Sequence, residues 1–265
     1  MRYPFRRRRF GQHFLHDPRI IDRIIEAIGP DPAVPVVEIG PGRGALTAPL
    51  LRKLGRLDVV EIDADLAAQL PGRCAGLGNL QVHRCDALRF ELASLGPGMR
   101  RCVGNLPYNV STPLLFHLLE QAQGIVDMIF MLQKEVVDRL AAGPGSRQYG
   151  RLSVMVQARC RVERLFTVGA ACFQPPPRVD SAVVRLTPIP AYDGRVRNHG
   201  LFADLVRRAF HQRRKMLRNS VYEMLPGGEK DLEHAGLQGT LRAEDVSVAQ
   251  YMTLANYLAT ARLSA

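Results

Sequence analysis

The sequence predicts an α/β fold, a doubly wound parallel sheet followed by a small helical domain, and three features of the chain carry that prediction. Apolar strand-like runs alternate with helical segments up to about residue 186. The first strand-like run, Val34 to Ile39, empties into a glycine-rich turn, Gly40-Pro41-Gly42-Arg43-Gly44. Strand character ends at Pro188-Ile189-Pro190, after which the periodicity is helical. The boundaries expected are therefore 1–190 for the α/β domain and 191–265 for the helical one, with 191–200 as a polar linker.

Asp17-Pro18 is a helix start, an N-cap followed by proline at the first helical position. Ile20, Ile21, Ile24, Ile25 and Ile28 then recur at helical spacing until Gly29-Pro30. Beyond the strand at 34–39, a helix is expected at 45–54, a strand at 57–62, a helix at 64–70 and a strand near 80–83. A further strand at 101–104, a helix at 112–121, a strand at 126–132, the segment 135–140, a loop at 143–146 and a helix at 151–160 follow. Val162–Val168 and Ala182–Leu186 read as late strands, an antiparallel pair at one edge, separated by the rigid turn Gln174-Pro175-Pro176-Pro177.

With 46% hydrophobic residues over 265 positions, the chain can bury a full core. Its 36 Lys and Arg against 25 Asp and Glu give a net charge of +11, which favours a polyanionic partner over simple solubility charge. The five cysteines, Cys74, Cys85, Cys102, Cys160 and Cys172, include no CxxC pair. Reduced, mostly buried thiols in a cytoplasmic protein are expected, with neither a disulfide framework nor a metal site. No apolar stretch approaches the ~18 residues of a membrane span. The Arg6-Arg7-Arg8-Arg9 run imitates a signal n-region, but Asp17, Asp22 and Arg23 interrupt any apolar segment behind it.

The glycine turn lets backbone approach a ligand and adds the free N–H groups of a helix start. It equally satisfies the permissive dinucleotide pattern, Gly40-x-Gly42-x-x-Ala45, so the cofactor is left open between adenosyl and dinucleotide types, with a purely structural turn as the bland alternative. Glu61, 21 positions after Gly40, suits a ribose in either case. Asp86 suits an adenine amine or, equally, a helix N-cap. Glu61, Asp86 and Asn105 fall at successive carboxyl edges of the expected sheet, where open α/β sheets bind ligands.

Asn105-Leu106-Pro107-Tyr108 joins an amide acceptor, a proline-stiffened turn and an aromatic face. These are what methyl transfer to an exocyclic amine needs. The amine of adenine is a poor nucleophile because its lone pair is delocalised into the ring. Two acceptors, the Asn105 side-chain oxygen and a carbonyl near Leu106, favour its rehybridisation, and no strong base is required because the methylated nitrogen is acidic enough to lose its proton to solvent. Tyr108 and Phe173 supply faces for an unstacked base.

Together these stretches resemble the S-adenosylmethionine-dependent rRNA adenine N6-dimethyltransferases, most closely their bacterial small-subunit branch (the KsgA/RsmA family). The matching segments are 9–15, 37–42, 104–109, 131–136, 149–154, 173–186, 212–215 and 247–251, nearly the whole chain in order. The resemblance implies a Rossmann-like S-adenosylmethionine-dependent methyltransferase domain and a small C-terminal helical domain that binds RNA or the ribosome. It implies S-adenosyl-L-methionine as cofactor, held by His13, Leu15, Gly40, Glu61, Asp86 and Asn105, and a target adenine among Asn105, Leu106, Pro107, Tyr108 and Phe173. The family usually has asparagine where this chain has His13. Its substrate is a pair of adjacent adenosines in the 3′-terminal hairpin loop of small-subunit (16S) rRNA, methylated in the immature 30S ribosomal subunit during ribosome biogenesis.

For the polyanion, residues 201–219 are read as one helix. Phe202, Val206, Ala209, Phe210, Met216 and Leu217 share an apolar face, and Arg207, His211, Arg214 and Arg218 a basic face suited to phosphate. A monomer is expected because no large unexplained apolar face is visible. The competing readings are a large-subunit rRNA adenine methyltransferase of the antibiotic-resistance type, a non-catalytic ribosome assembly or transcription factor, and, more distantly, a nicotinamide dehydrogenase. The first shares the glycine loop and the Asn-x-Pro-Tyr turn but matches less well at 175–181 and 212–215.

Overall fold

The computed structural model describes residues 12–190 and 195–261. The Arg6–Arg9 run, the start of the 9–15 segment and most of the first half of the expected linker lie outside them. Two compact units emerge from the contacts, one of 1–137 with 163–188, the other of 138–162 with 189–265. The last strand ends at Pro188. Residues 138–162, read by continuity as part of the first domain, group with the C-terminal helices instead.

In the first unit the strands are β1 (Phe14–Leu15), β2 (Val36–Ile39), β3 (Arg56–Val60), β4 (Asn79–His83), β5 (Arg100–Asn105), β6 (Ile125–Gln133), β7 (Cys160–Val168), β8 (Phe173–Gln174) and β9 (Ser181–Pro188). Seven of them form one sheet in the order β4-β3-β2-β5-β6-β9-β7, and β1 pairs with β8 in a separate ribbon. The pairings among β2 to β6 are parallel, whereas β9 runs antiparallel to β6. The late strands are neighbours at one edge, as expected. Strand order reverses between β2 and β5, which opens a crevice at their carboxyl ends.

Helices α1 (Pro18–Ile28), α2 (Thr47–Leu54) and α3 (Ala64–Arg73) return the chain between the early strands. Asp17 caps α1 through its carboxylate on the Arg19 N–H at 3.0 Å, and Gly29, at φ 57°, closes it. Ile24, Ile28, Leu50, Leu51 and Leu70 from these helices pack in one cluster with Val36, Val59, Val103, Ile129 and Val183 of the strands. The alternate strand residues Val37, Cys102, Met128 and Phe130 are equally buried, so the sheet is covered on both faces. At its other end, Asp127 binds the Arg101 guanidinium at 2.6 and 3.1 Å and lies 3.9 Å from Arg185. Those two arginines donate to the last carbonyls of α1, Arg101 to Ile28 and Gly29 and Arg185 to Ala27.

Helix α4 (Ser111–Glu120) follows β5, and α5 (Lys134–Ala141) leads out of the first unit. The second unit contains α6 (Arg151–Gln157), α7 (His199–His211), α8 (Leu217–Val221), α9 (Glu229–His234) and α10 (Val248–Ala261). Its core holds Tyr149 and Tyr251, whose hydroxyls donate to the carbonyls of Val246 and Ala243, with Phe210 between the two rings at 6.0 Å from each.

The single helix expected over 201–219 is not formed. α7 stops at His211, residues 212–215 turn, and α8 begins at Leu217. Nothing in Gln212-Arg213-Arg214-Lys215 breaks a helix intrinsically. The Arg213 guanidinium is drawn to Glu244 and to the Arg147 carbonyl, and the Leu217 N–H donates to Leu241, so tertiary partners override propensity. Met216, assigned to the apolar face, is 40% exposed as a result.

All five cysteines are free; Cys74, Cys102 and Cys160 are buried. No helix among the described residues is long and apolar enough to cross a membrane.

Candidate functional site

The carboxyl ends of β2, β3 and β5 meet in a cleft with two adjoining parts. One part, of about 620 Å³, is lined by residues 12–15, the glycine turn, the buried Glu38 and Asn105 to Tyr108. The other, of about 720 Å³, is lined by Gly40, Gly42, Glu61, Ile62, Asp86, Val110 and Leu114 among others. Gln12, Gly40, Gly42 and Pro107 border both. Among the described residues no cluster of three or more His, Cys, Asp or Glu is arranged to hold a metal ion.

The glycine turn needs its glycines. Gly40, Gly42 and Gly44 have φ of 68°, 57° and 87°, the left-handed region that side chains disfavour. Gly104 is required for a different reason: a Cβ there would lie 2.2 Å from the Ile39 carbonyl oxygen, so only glycine lets β5 sit against β2.

Glu61, 4% exposed, accepts the Gly42 N–H at 3.1 Å on one oxygen and the Asp63 N–H at 2.9 Å on the other. A carboxylate offers about four acceptor positions, so lone pairs remain for hydroxyl donors. Burial raises its pKa above the ordinary value, and the two backbone N–H groups oppose that rise. Asp86 realises the N-cap reading. Its Oδ1 caps the short turn Ala87–Arg89 by accepting from the Leu88 N–H at 3.0 Å, and the residue lines the cleft.

Glu38 is the acid of the strand that runs into the glycine turn, and it is not among the cofactor or target residues expected from the sequence. It is 1% exposed and accepts the Thr47 hydroxyl at 2.7 Å. Loss of hydration pushes its pKa up to about 7, with the Thr47 bond pulling down and the nearby Glu61 charge adding to the rise.

Asn105 donates its side-chain N–H to the His13 carbonyl at 3.1 Å. That bond orients the amide, and Oδ1 accepts no hydrogen bond among the described residues. The Leu106 N–H is used by the Met131 carbonyl at 3.1 Å, while the Leu106 carbonyl is likewise without a donor among those residues. Two acceptors thus stand together at the end of β5. Tyr108, partly exposed, shares a 2.8 Å hydrogen bond with the buried Ser181 hydroxyl. The Ser111 hydroxyl, at the start of α4, donates to the Tyr108 carbonyl.

Phe173 is where the structure departs most from the expected site. It pairs with Leu15 in the β1–β8 ribbon, is 2% exposed and belongs to the apolar core, so it presents no open face to the cleft. The basic residues expected on one helical face are also dispersed. Arg207 is paired with Asp204 and Arg218 with Glu229, while His211 and Arg214 are exposed without an acidic partner among the described residues.

The chain is 53% identical over 255 residues to the ribosomal RNA small subunit methyltransferase A of Pseudomonas fluorescens, covering 96% of this chain and 94% of that protein. It is 52% identical over 247 residues to the protein of the same name from Xanthomonas campestris, covering 93% and 94%. Among solved structures, a dimethyladenosine transferase from Plasmodium falciparum superposes with a TM-score of 0.80 at 28% identity, over 91% of this chain and 96% of that one. The 23S rRNA methyltransferase ErmE superposes with a TM-score of 0.72, also at 28% identity, over 93% and 99%. The model of the ribosomal RNA adenine dimethylase family matches residues 5–260, and the chain belongs to that family.

Proposed function

We propose that this protein transfers methyl groups from S-adenosyl-L-methionine to N6 of two adjacent adenosines in the 3′-terminal hairpin loop of small-subunit rRNA, giving N6,N6-dimethyladenosine in the immature small subunit. The observation that carries this reading is the pair of free acceptors, Asn105 Oδ1 and the Leu106 carbonyl, set beside the glycine turn. The small-subunit target is supported by identity above 50% across nearly the whole chain to proteins of that description.

The cleft fits the cofactor. Its far part combines apolar walls, Ile62, Val110 and Leu114, with the two acids Glu61 and Asp86. Glu61 would accept from ribose hydroxyls and Asp86 from the adenine amine, with Gly40, Leu15, the main chain of His13 and Asn105 along the rest of the molecule. When bound, the cofactor supplies an electrophilic methyl group on a sulfonium.

The remaining chemistry belongs to the chain. Asn105 Oδ1 and the Leu106 carbonyl each accept one N–H of the target amine, which localises the nitrogen lone pair and stabilises the charge that develops on that nitrogen. Pro107 stiffens the turn between them, and Tyr108, held by Ser181, provides a face for the base. After one transfer the amine retains a single N–H, and one acceptor is left without a donor. After two transfers neither acceptor has a donor, so the dimethylated base is bound more weakly than the substrate and leaves.

In the second unit, His211 and Arg214 are the members of the expected basic set free to meet phosphate, whereas Arg207 and Arg218 must first give up an acidic partner. We assign the helical unit to RNA and ribosome contact, and expect a monomer that works in the cytoplasm. Labelled methyl transfer to small subunits lacking adenine dimethylation, with nucleoside analysis, tests the reading. N6,N6-dimethyladenosine in small-subunit RNA supports it. Label confined to large-subunit RNA would move the assignment to a large-subunit rRNA adenine methyltransferase of the antibiotic-resistance type; the 23S rRNA methyltransferase ErmE superposes on this chain.

A further inference from the structure

The resemblance places residue 13 against the cofactor, yet the side chain that this chain carries there is engaged elsewhere. His13 Nδ1 lies 2.8 Å from the Pro175 carbonyl oxygen. A carbonyl only accepts, so Nδ1 carries the proton and donates it, which fixes the tautomer of the neutral ring. The imidazole is inclined by 32° to the Tyr108 ring at a centroid distance of 5.8 Å. The His13 backbone carbonyl, meanwhile, accepts from Asn105.

Two of these three partners, Asn105 and Tyr108, line the cleft, and the third, Pro175, is joined to it through His13. Asn105 and Tyr108 form one wall, the turn after β5. Pro175 begins the proline turn that leads from Phe173 back to Ser181, the residue that holds the Tyr108 hydroxyl. The main chain already ties residues 14–16 to 172–174, through Phe14 with Gln174, Leu15 with Phe173 and the His16 N–H on Cys172. That ribbon does not reach Tyr108. The His13 side chain does, and it links the ribbon, the proline turn and the aromatic wall.

We propose that His13 is a positioning residue for the target adenine, holding the Asn105–Tyr108 turn and the proline turn at a fixed separation through its Nδ1–H bond to Pro175 and its ring contact with Tyr108. The proposal rests on the reading of this cleft as an adenine methylation site. An asparagine in place of His13 could donate one hydrogen bond but has no ring to set against Tyr108. The second methyl transfer depends on His13 most. The monomethylated amine keeps one N–H, and the separation of the walls then contributes more to holding the base than the acceptors do.

The test compares wild type, His13→Ala and His13→Asn on undermethylated small subunits. It measures kcat, KM for the subunit, the ratio of N6-methyladenosine to N6,N6-dimethyladenosine, and, without RNA, the equilibrium affinity for S-adenosylmethionine. For His13→Ala the expected result is a fall of about tenfold in kcat/KM, the size set by one lost hydrogen bond, with accumulation of the monomethylated product and cofactor affinity within about twofold of wild type. His13→Asn recovers part of the loss by restoring the bond to Pro175. A cofactor affinity that falls in step with activity in both variants overturns the proposal, because the side chain then serves the cofactor. So does an active wild type matched by His13→Ala in rate and product ratio. A wild-type chain that transfers no methyl group to adenine overturns the underlying reading and this proposal with it.

Discussion

Glu38 makes the stability of this protein depend on pH in a direction opposite to that of most paired carboxylates. In the unfolded chain it titrates at an ordinary value near 4.5; in the fold, burial raises it to about 7. Between those values the folded state holds a proton that the unfolded state has lost. The stabilisation is therefore complete below the unfolded value and is lost as pH rises through the folded one. A difference of about 2.5 units corresponds to about 3 kcal/mol, of which roughly 2 to 3 kcal/mol falls between about pH 5 and pH 8. Glu38→Gln keeps an acceptor for Thr47 and cannot ionise. Urea unfolding followed by far-ultraviolet circular dichroism suits a chain without tryptophan. The variant should gain on wild type by that amount between the two pH values, while all other titrating groups cancel in the difference. Thr47→Val, which removes the bond favouring the ionised form, should move the transition to higher pH. A stability gap that is the same at both pH values would refute the reasoning, since Glu38 would then titrate alike in both states.

Three further outcomes follow from the same geometry. Asn105→Ala should lower kcat roughly 100-fold or more, the loss typical of removing one preorganised charge-stabilising group, and methyl transfer assays read it directly; full activity would show that the acceptor chemistry is misassigned. Asp127→Ala leaves the Arg101 guanidinium beside α1 without its carboxylate, while Arg185 keeps Glu163 at 3.9 Å, and should cost about 3 to 5 kcal/mol in urea unfolding; a cost below about 1 kcal/mol would mean that Arg101 is satisfied by the α1 carbonyls alone. Arg214→Ala should reduce the slope of log affinity against log salt for small-subunit RNA by about one, whereas Arg207→Ala, whose charge is already matched by Asp204, should change it less. Equal effects would remove the distinction between paired and free cations.

The sequence by itself determined most of the first unit. Strand and helix order was legible because buried parallel strands are runs of Val, Ile and Leu, and because Asp17-Pro18 and Gly29 mark helix ends through local hydrogen bonding and backbone freedom. The glycine turn and Asn105-Leu106-Pro107-Tyr108 were legible for the same reason: their chemistry is carried within four or five consecutive residues. What only tertiary structure decided are the features that depend on partners distant in the chain. Phe173 looked like an open stacking face until its pairing with Leu15 placed it in the core. The 201–219 helix had an unbroken wheel, yet Arg213 is claimed by Glu244 and Arg147, and the chain turns there. Glu38 was one acid in an apolar strand, and its raised pKa exists only because the sheet and α2 exclude water around it. The bond of His13 to Pro175 spans 162 positions, a separation no periodicity or local propensity encodes.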